Sequence, residues 1–413
     1  MLSGSMEGND SIKNFAEELN GNFTSSILPM TIFFGIEACV GVLGNSLIMY
    51  VFSFKYNVCN FKYFVLVLAF IDLTSCLTTI PGEAFTQRFW YTYPDPNLCK
   101  AKSFFNVFTV CASALCLLLI AVDRHRKICK PFGWQIGNIM ALRLCFMALI
   151  LSAIVALPVL FLWGTQNYEK SYKGMMVNVT SCEKDAVFEN APHPLIYSSC
   201  LIAILSIPML FMLILYILIA KKILCEMKYT KYTSLTVTKA KIIKTAYFSI
   251  GNGTRNESHE FSYESKRSSL GSRNILSDKN SSENEDNRFE AEDGETCEIN
   301  SYLDCGNKTN NSKLDTVKIV LTLPKRGAIS RSMKRKTMIM FILSAVFIFS
   351  TVLYLTLLSQ IAREDNIIRS MSSNQRILYF FFFRLYFINH IINPFVYAFL
   401  DTQFRLALVK LVR

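Results

Sequence analysis

The feature that most limits what this chain can become is a series of seven apolar runs, each close to the roughly 20 residues that carry a helix across a bilayer. They lie near residues 28–54, 62–86, 100–124, 140–163, 194–221, 335–361 and 375–400. Soluble cores rarely use apolar runs of this length. Lipid cannot satisfy exposed backbone groups, so helices are the physical default. Composition agrees: 52% of the 413 residues are hydrophobic, 33 are phenylalanine and only 18% are charged. The expected fold is an all-α membrane protein, a seven-transmembrane helix bundle.

Charge sets the orientation. An odd number of spans puts the two ends of the chain on opposite sides, and Lys and Arg mark the cytoplasmic side. The connector after the third run carries Arg126, Lys127 and Lys130, the fifth-to-sixth connector is flanked by AKKILCEMKYTK and RSMKRK, and the last residues read LVKLVR. These faces are expected inside. Residues 1–27 are expected outside as an extracellular amino terminus; MLSGSMEGNDSIKNF has no apolar core, so the first helix would serve as the insertion signal. The spans then occupy 28–225 and 333–400, separated by a long cytoplasmic third inner loop at 226–332. The middle of that loop is acidic and polar with few apolar anchors and is expected to be largely disordered. The net charge of +12 reads as the topology signal, and no soluble basic domain exists to bind nucleic acid.

Thirteen cysteines invite a disulfide framework, but this topology leaves only Cys99 and Cys182 on the oxidising face. A bridge between them would pin the fourth-to-fifth connector over the start of the third helix; the alternative is two free thiols. Sequons at Asn9, Asn22 and Asn178 fall outside and are glycosylation candidates, whereas those at Asn252, Asn256, Asn280, Asn307 and Asn310 fall inside.

Several short motifs then occur in order, each on its expected helix: GN at Gly44–Asn45, LAFID at 68–72, Cys99, DRH at 123–125, Pro208 with Tyr216, NHIINPFVY at 389–397, and Phe404 in a short amphipathic segment over 401–413. Together they resemble the rhodopsin-like G-protein-coupled receptors over all but the amino terminus and the long inner loop. The resemblance implies an amphipathic eighth helix and a receptor, not an enzyme, that answers an extracellular ligand by activating a heterotrimeric G protein. It implies that Asp123 restrains Arg124 at rest, that Tyr216 and Tyr397 close around the arginine on activation, and that Pro131–Phe132 meets the G protein. The basic cluster beside this pair also suits topology anchoring and anionic membrane lipid, and Phe132 also suits an interfacial anchor. For Asp72 the resemblance implies a sodium ion among Asn45, Ser113, Asn389 and Asn393. His390 stands where the family commonly has serine; it either replaces the ion with a proton-sensitive contact or packs neutral against the first helix.

Nearer the Cys99 end, Glu83, Arg384 and Glu37 reach a similar depth when counted along their helices at about 1.5 Å per residue. Intramembrane charge is costly, so the three read as an ion pair lining a water-filled ligand cavity or as a structural lock. Asn106 occupies the position where amine receptors of the family carry aspartate, and the seventh run has no lysine for retinal. The stretch LYFFFFRLYF, with Phe383, supplies aromatic walls instead. These features point to a peptide or other non-amine ligand. The sixth run lacks the family's tryptophan and proline, leaving Phe347 and Phe349 as the nearest aromatic candidates. A transporter or channel, and a ligand-independent or decoy receptor, are the competing readings. Because the chain stops soon after Phe404, arrestin-recruiting phosphorylation is expected in the third inner loop, at Ser268 and Ser269 of SKRSSLGSR.

Overall fold

The structure, a computed structural model, describes residues 3–56, 58–188, 191–251, 330–363 and 371–412. The chain divides into two units, Met1–Ser234 with Gly327–Arg413, and Leu235–Arg326. Of the second unit the described part is the backbone as far as Gly251, and it is helical. Most of the third inner loop, including Ser268, Ser269 and the sequons from Asn252 to Asn310, lies outside the described residues, as does the Asn9 side chain.

The first unit is a helix bundle. Its elements are α1 (Ser3–Phe54), α2 (Asn60–Leu77), α3 (Thr79–Arg88), α4 (Pro96–Cys129), α5 (Asn138–Ala156), α6 (Val159–Leu162), α7 (His193–Gly251), α8 (Arg331–Arg363), α9 (Ser373–Arg384), α10 (Ile388–Leu400) and α11 (Thr402–Val412). Among the described residues six helices are long and apolar enough to cross a membrane, α2 and α3 together counting as one. The seventh crossing is α9 and α10, joined by a 3-10 turn at Leu385–Phe387. The break between α2 and α3 falls at Thr78, whose φ is −122°. It has a local cause: Pro81 lacks the N–H that would bond the Leu77 carbonyl. The α11 segment is the expected eighth helix, and its buried Phe404 packs 6.0 Å from the Phe52 ring and 6.1 Å from Tyr397.

Two elements go beyond the sequence expectation. α1 is already helical at Ser3, ahead of the apolar run near 28–54. Over residues 14–27, Ala16, Leu19, Asn20, Phe23, Thr24 and Ile27 are all buried. They recur at helical spacing and form one stripe. The stripe packs on Trp90, Tyr91, Phe380 and the hairpin residues Val177 and Val179. Asn20 fixes it further, donating to the Arg88 carbonyl at 3.0 Å and accepting from the Tyr91 N–H at 3.0 Å.

The second difference is an antiparallel hairpin, β1 (Trp163–Tyr172) and β2 (Met175–Lys184), in the fourth-to-fifth connector. Lys173 and Gly174 both have positive φ, 51° and 81°. That is the two-residue turn whose twist suits paired strands, and glycine adopts it without steric cost. Alternate residues Val177, Val179 and Ser181 point inward and are buried. The Cys99–Cys182 disulfide ties this hairpin to the first turn of α4. Asn178 is exposed on β2, and Asn22 is exposed with its amide donating to the Tyr172 hydroxyl at 2.7 Å.

The bundle is drawn tight where α1 meets α10. A Cβ built on Gly44 would lie 2.4 Å from Pro394 Cγ, so only glycine admits the proline ring at this approach. Gly44→Ala is expected to destabilise the protein by about 1–3 kcal/mol, the usual cost of overpacking. Thermal unfolding in detergent tests this against Gly137→Ala, a position where an added Cβ meets nothing within 4 Å.

Candidate functional site

Polar and charged side chains inside the bundle gather in three layers. Helix pairs in lipid lack a hydrophobic drive and rely on close packing and polar contacts. Each layer therefore holds helices together as well as offering chemistry.

The first layer lies toward the disulfide. Glu83 of α3 accepts from Arg384, the last residue of α9, and from Lys102 Nζ of α4 at 3.3 Å. The expected pair is thus a three-membered cluster, with side-chain exposures of 5% for Glu83, 11% for Arg384 and 12% for Lys102. The Arg384 guanidinium also lies 4.4 Å from the Phe383 ring centre, a cation–π contact. Asn106 accepts from the Tyr386 hydroxyl at 2.9 Å, and Tyr354 packs 4.8 Å from the Tyr386 ring. Glu37 does not join the cluster. It is buried, and its Oε2 has no hydrogen-bond partner among the described residues. Equal depth did not bring it to the same face. Lys102 lies outside the sequence expectation because it stands beside Cys99 at the start of the third run, where it reads as a charge flanking the span.

The middle layer centres on Asp72 of α2. His390 Nδ1 lies 2.8 Å from Asp72 Oδ1, and Asn393 Nδ2 donates to Oδ2. Asn45 does not reach the acid; it donates to the backbone carbonyl of His390 at 2.7 Å. Asn389 donates to Ser350 Oγ of α8 at 2.7 Å. Asp72, Ser113, Asn389, Asn393 and Phe347 line a cavity of about 10 Å³, room for about one water. Ser113 Oγ and Asn389 Oδ1 are buried there without partners among the described residues. An acid and two unpartnered oxygens around so small a space fit a hard cation such as sodium. His390 already occupies one carboxylate oxygen and competes for it. Of the two aromatic candidates on the sixth crossing, Phe347 faces this layer and Phe349 is exposed.

The third layer closes the opposite end. Arg124 donates to Asp123, and both are buried. The same carboxylate takes Lys127 Nζ at 3.2 Å and Asn60 Nδ2 at 3.2 Å, so four polar groups meet there. Tyr216 OH meets Ser344 Oγ at 3.1 Å, and Tyr397 OH has no partner among the described residues. Neither tyrosine bonds Arg124. Pro131 and Phe132 stand in the connector after α4, with Phe132 fully exposed. Outside the spans, Tyr56 donates to Asp401 at 3.1 Å. Burial first, and then the Asp401 charge, push the Tyr56 phenol above its ordinary value, so it stays a neutral donor.

Comparison with known proteins identifies the scaffold. The family model described as 7 transmembrane receptor (rhodopsin family) matches residues 44–397. The human neuropeptide Y receptor type 4-2 is 31% identical over 150 residues, 36% of this chain and 39% of that receptor. The mouse neuropeptide Y receptor type 4 is 28% identical over 241 residues, 54% and 62% of the two chains. The sheep bombesin receptor subtype-3 is 26% identical over 225 residues, 53% and 55% of the two chains. The matched region spans less than two thirds of each of these relatives. The family match covers most of the sequence, from Gly44 in α1 to Tyr397 in α10. The chain is a multi-pass membrane protein and belongs to the rhodopsin family of seven-transmembrane receptors.

Proposed function

We propose that the chain is a plasma-membrane receptor, its Cys99 end outside and its Arg124 end in the cytoplasm, that binds an extracellular peptide and activates a heterotrimeric G protein. The observation that carries this reading is the Asp123–Arg124 pair: a buried arginine held by one acid at the end of the bundle, beside a fully exposed Phe132. An ion pair meant only for stability would gain little, since desolvation offsets most of its Coulomb energy. A restraint that can be released makes use of the pair. The relatives' names, neuropeptide Y and bombesin receptors, support a peptide as ligand. So does the first layer, which offers aromatic walls and charge of both signs. Two cations meet one carboxylate there, and an acidic group on the ligand matches the excess positive charge.

Arg124→Ala is expected to abolish nucleotide exchange while surface expression persists, and Asp123→Asn to raise exchange without ligand. Radiolabelled GTP-analogue binding in membranes reads both; undiminished exchange in Arg124→Ala rejects the role.

At the ligand end, Arg384→Glu is expected to lose the response to an active peptide pool, and adding Glu83→Lys to restore part of it. Recovery stays incomplete because the new lysine faces Lys102. Calcium or exchange responses of the double-mutant cycle test the coupling; independent, additive losses would assign Glu83 and Arg384 to separate roles.

A further inference from the structure

Between the third, fourth and fifth crossings the bundle is not closed. A cavity of about 210 Å³ lies among Cys111 and Ala114 of α4, Leu151 and Val155 of α5, and Ile204 and Pro208 of α7, and no polar atom is exposed in it. The local chemistry accounts for both properties. Ala114 and Cys111 are small. Ser152, also on the wall, turns its hydroxyl back to the Ala148 carbonyl at 2.7 Å and presents only carbon. Pro208 presents its ring and offers no N–H to the Ile204 carbonyl.

The cavity opens away from the three polar layers. Leu151 and Ile204 at its rim are 51% and 42% exposed, among further exposed apolar residues on the same helices, including Phe146, Met147, Ile207 and Phe211. In a membrane protein that surface is bathed in hydrocarbon. Cys111 stands midway along α4 between Cys99 and Arg124, which places the cavity near the bilayer midplane. Headgroups do not reach that depth; the methyl ends of acyl chains do.

Something must fill the space. An apolar cavity of ~150 Å³ stays free of water and admits a molecule the size of benzene, and this one is larger, with no polar partner for water. Left empty, its walls would forgo dispersion contacts. We propose that the cavity is a binding site for the terminal part of a membrane-lipid acyl chain, which enters between Leu151 and Ile204 and packs against Cys111, Ala114 and Pro208. A lipid held there links the fourth and fifth crossings to α4, the helix that carries Lys102, Ser113 and Arg124 through all three layers. Sterol is the competing occupant, but its hydroxyl is anchored at headgroup level and its ring system lies above this depth.

The test uses the full chain in phosphatidylcholine nanodiscs doped with a phosphatidylcholine that carries a diazirine at the methyl end of one chain. After irradiation, adducts are mapped by mass spectrometry. The expected result is adduct density on Ala114–Leu115 and Ile204–Leu205 several-fold above that on the lipid-exposed stretch around Phe146 and Met147. Leu151→Trp, at a half-exposed rim position, is expected to remove that enrichment while leaving the labelling around Phe146 unchanged. Ala114→Phe, which fills the cavity from within, is expected to do the same, with the intact Cys99–Cys182 bond reporting that both variants fold. Even labelling of the lipid-facing surface, or enrichment that survives both substitutions, would overturn the site. A diazirine sterol that labels the same residues and displaces the acyl probe would overturn the assignment of its occupant.

Discussion

One backbone carbonyl holds the middle of this bundle together. Pro394 has no N–H, so the carbonyl of His390, one helical turn earlier, loses its normal partner. Asn45 takes that carbonyl at 2.7 Å from the neighbouring helix, and Gly44 next to it admits the proline ring. The His390 side chain and Asn393 on the same turn hold Asp72 of α2. Three helices are thereby joined by contacts that lipid cannot replace and cannot compete for. The GN, acid and NP motifs are parts of a single contact, which is why they occur together.

The sixth crossing is held differently. Its end nearest Arg124 carries Arg331, Lys334, Arg335 and Lys336 and no acid. A cation beside Arg124 is repelled rather than bonded. The helix is latched instead to uncharged neighbours: Arg335 donates to Thr402 Oγ1 at 2.6 Å, and Lys336 Nζ lies 5.4 Å from the ring centres of both Tyr56 and Phe61, the second of which it shares with the Arg124 guanidinium at 5.8 Å. Cation–π contacts at exposed sites are worth about 0.5–1 kcal/mol each, so this latch is light. Arg331–Arg363 contains neither proline nor glycine, so the helix lacks the usual kink sites. Its middle is tied to α7 by the Tyr216–Ser344 contact at 3.1 Å and to α10 by the Asn389–Ser350 bond at 2.7 Å.

The crossings, the eighth helix, the Asp123–Arg124 pair, the Glu83–Arg384 pair and the Cys99–Cys182 partners were all legible in the sequence. Each rests on a strong local signal: an apolar run, a charge in the wrong solvent, or a cysteine on the oxidising side. What was not legible depends on azimuth and on contact between distant segments. Depth along a helix follows from counting residues, but the direction a side chain faces does not, which is how Glu37 was grouped with a cluster it does not touch. The amphipathic stripe from Ala16 to Ile27 is continuous with an apolar run, so its polar interruptions hid that it continues the helix. The hairpin signal, Lys-Gly between alternating residues, is weak alone and becomes decisive only once Cys182 is fixed to Cys99.

The seventh crossing touches every layer: Arg384 in the first, His390 and Asn393 in the second, and Tyr397 packed on Phe52 and Phe61 near the third. Coupling between two ends of a protein requires an element with more than one arrangement that both ends bias. The 3-10 turn at Leu385–Phe387 lies directly between the first two layers, and such mid-helix stretches often mark hinges because their bonds are already distorted. Tyr386 within it is bonded to Asn106 of α4, and the following turn presents Asn389 to Ser350 of α8. The turn thus stands between the Arg384–Glu83 pair on one side and, on the other, the residues that bond Asp72 and the sixth crossing. The seventh crossing carries the charge at one end, the 3-10 turn below it and the proline-centred joint in the middle.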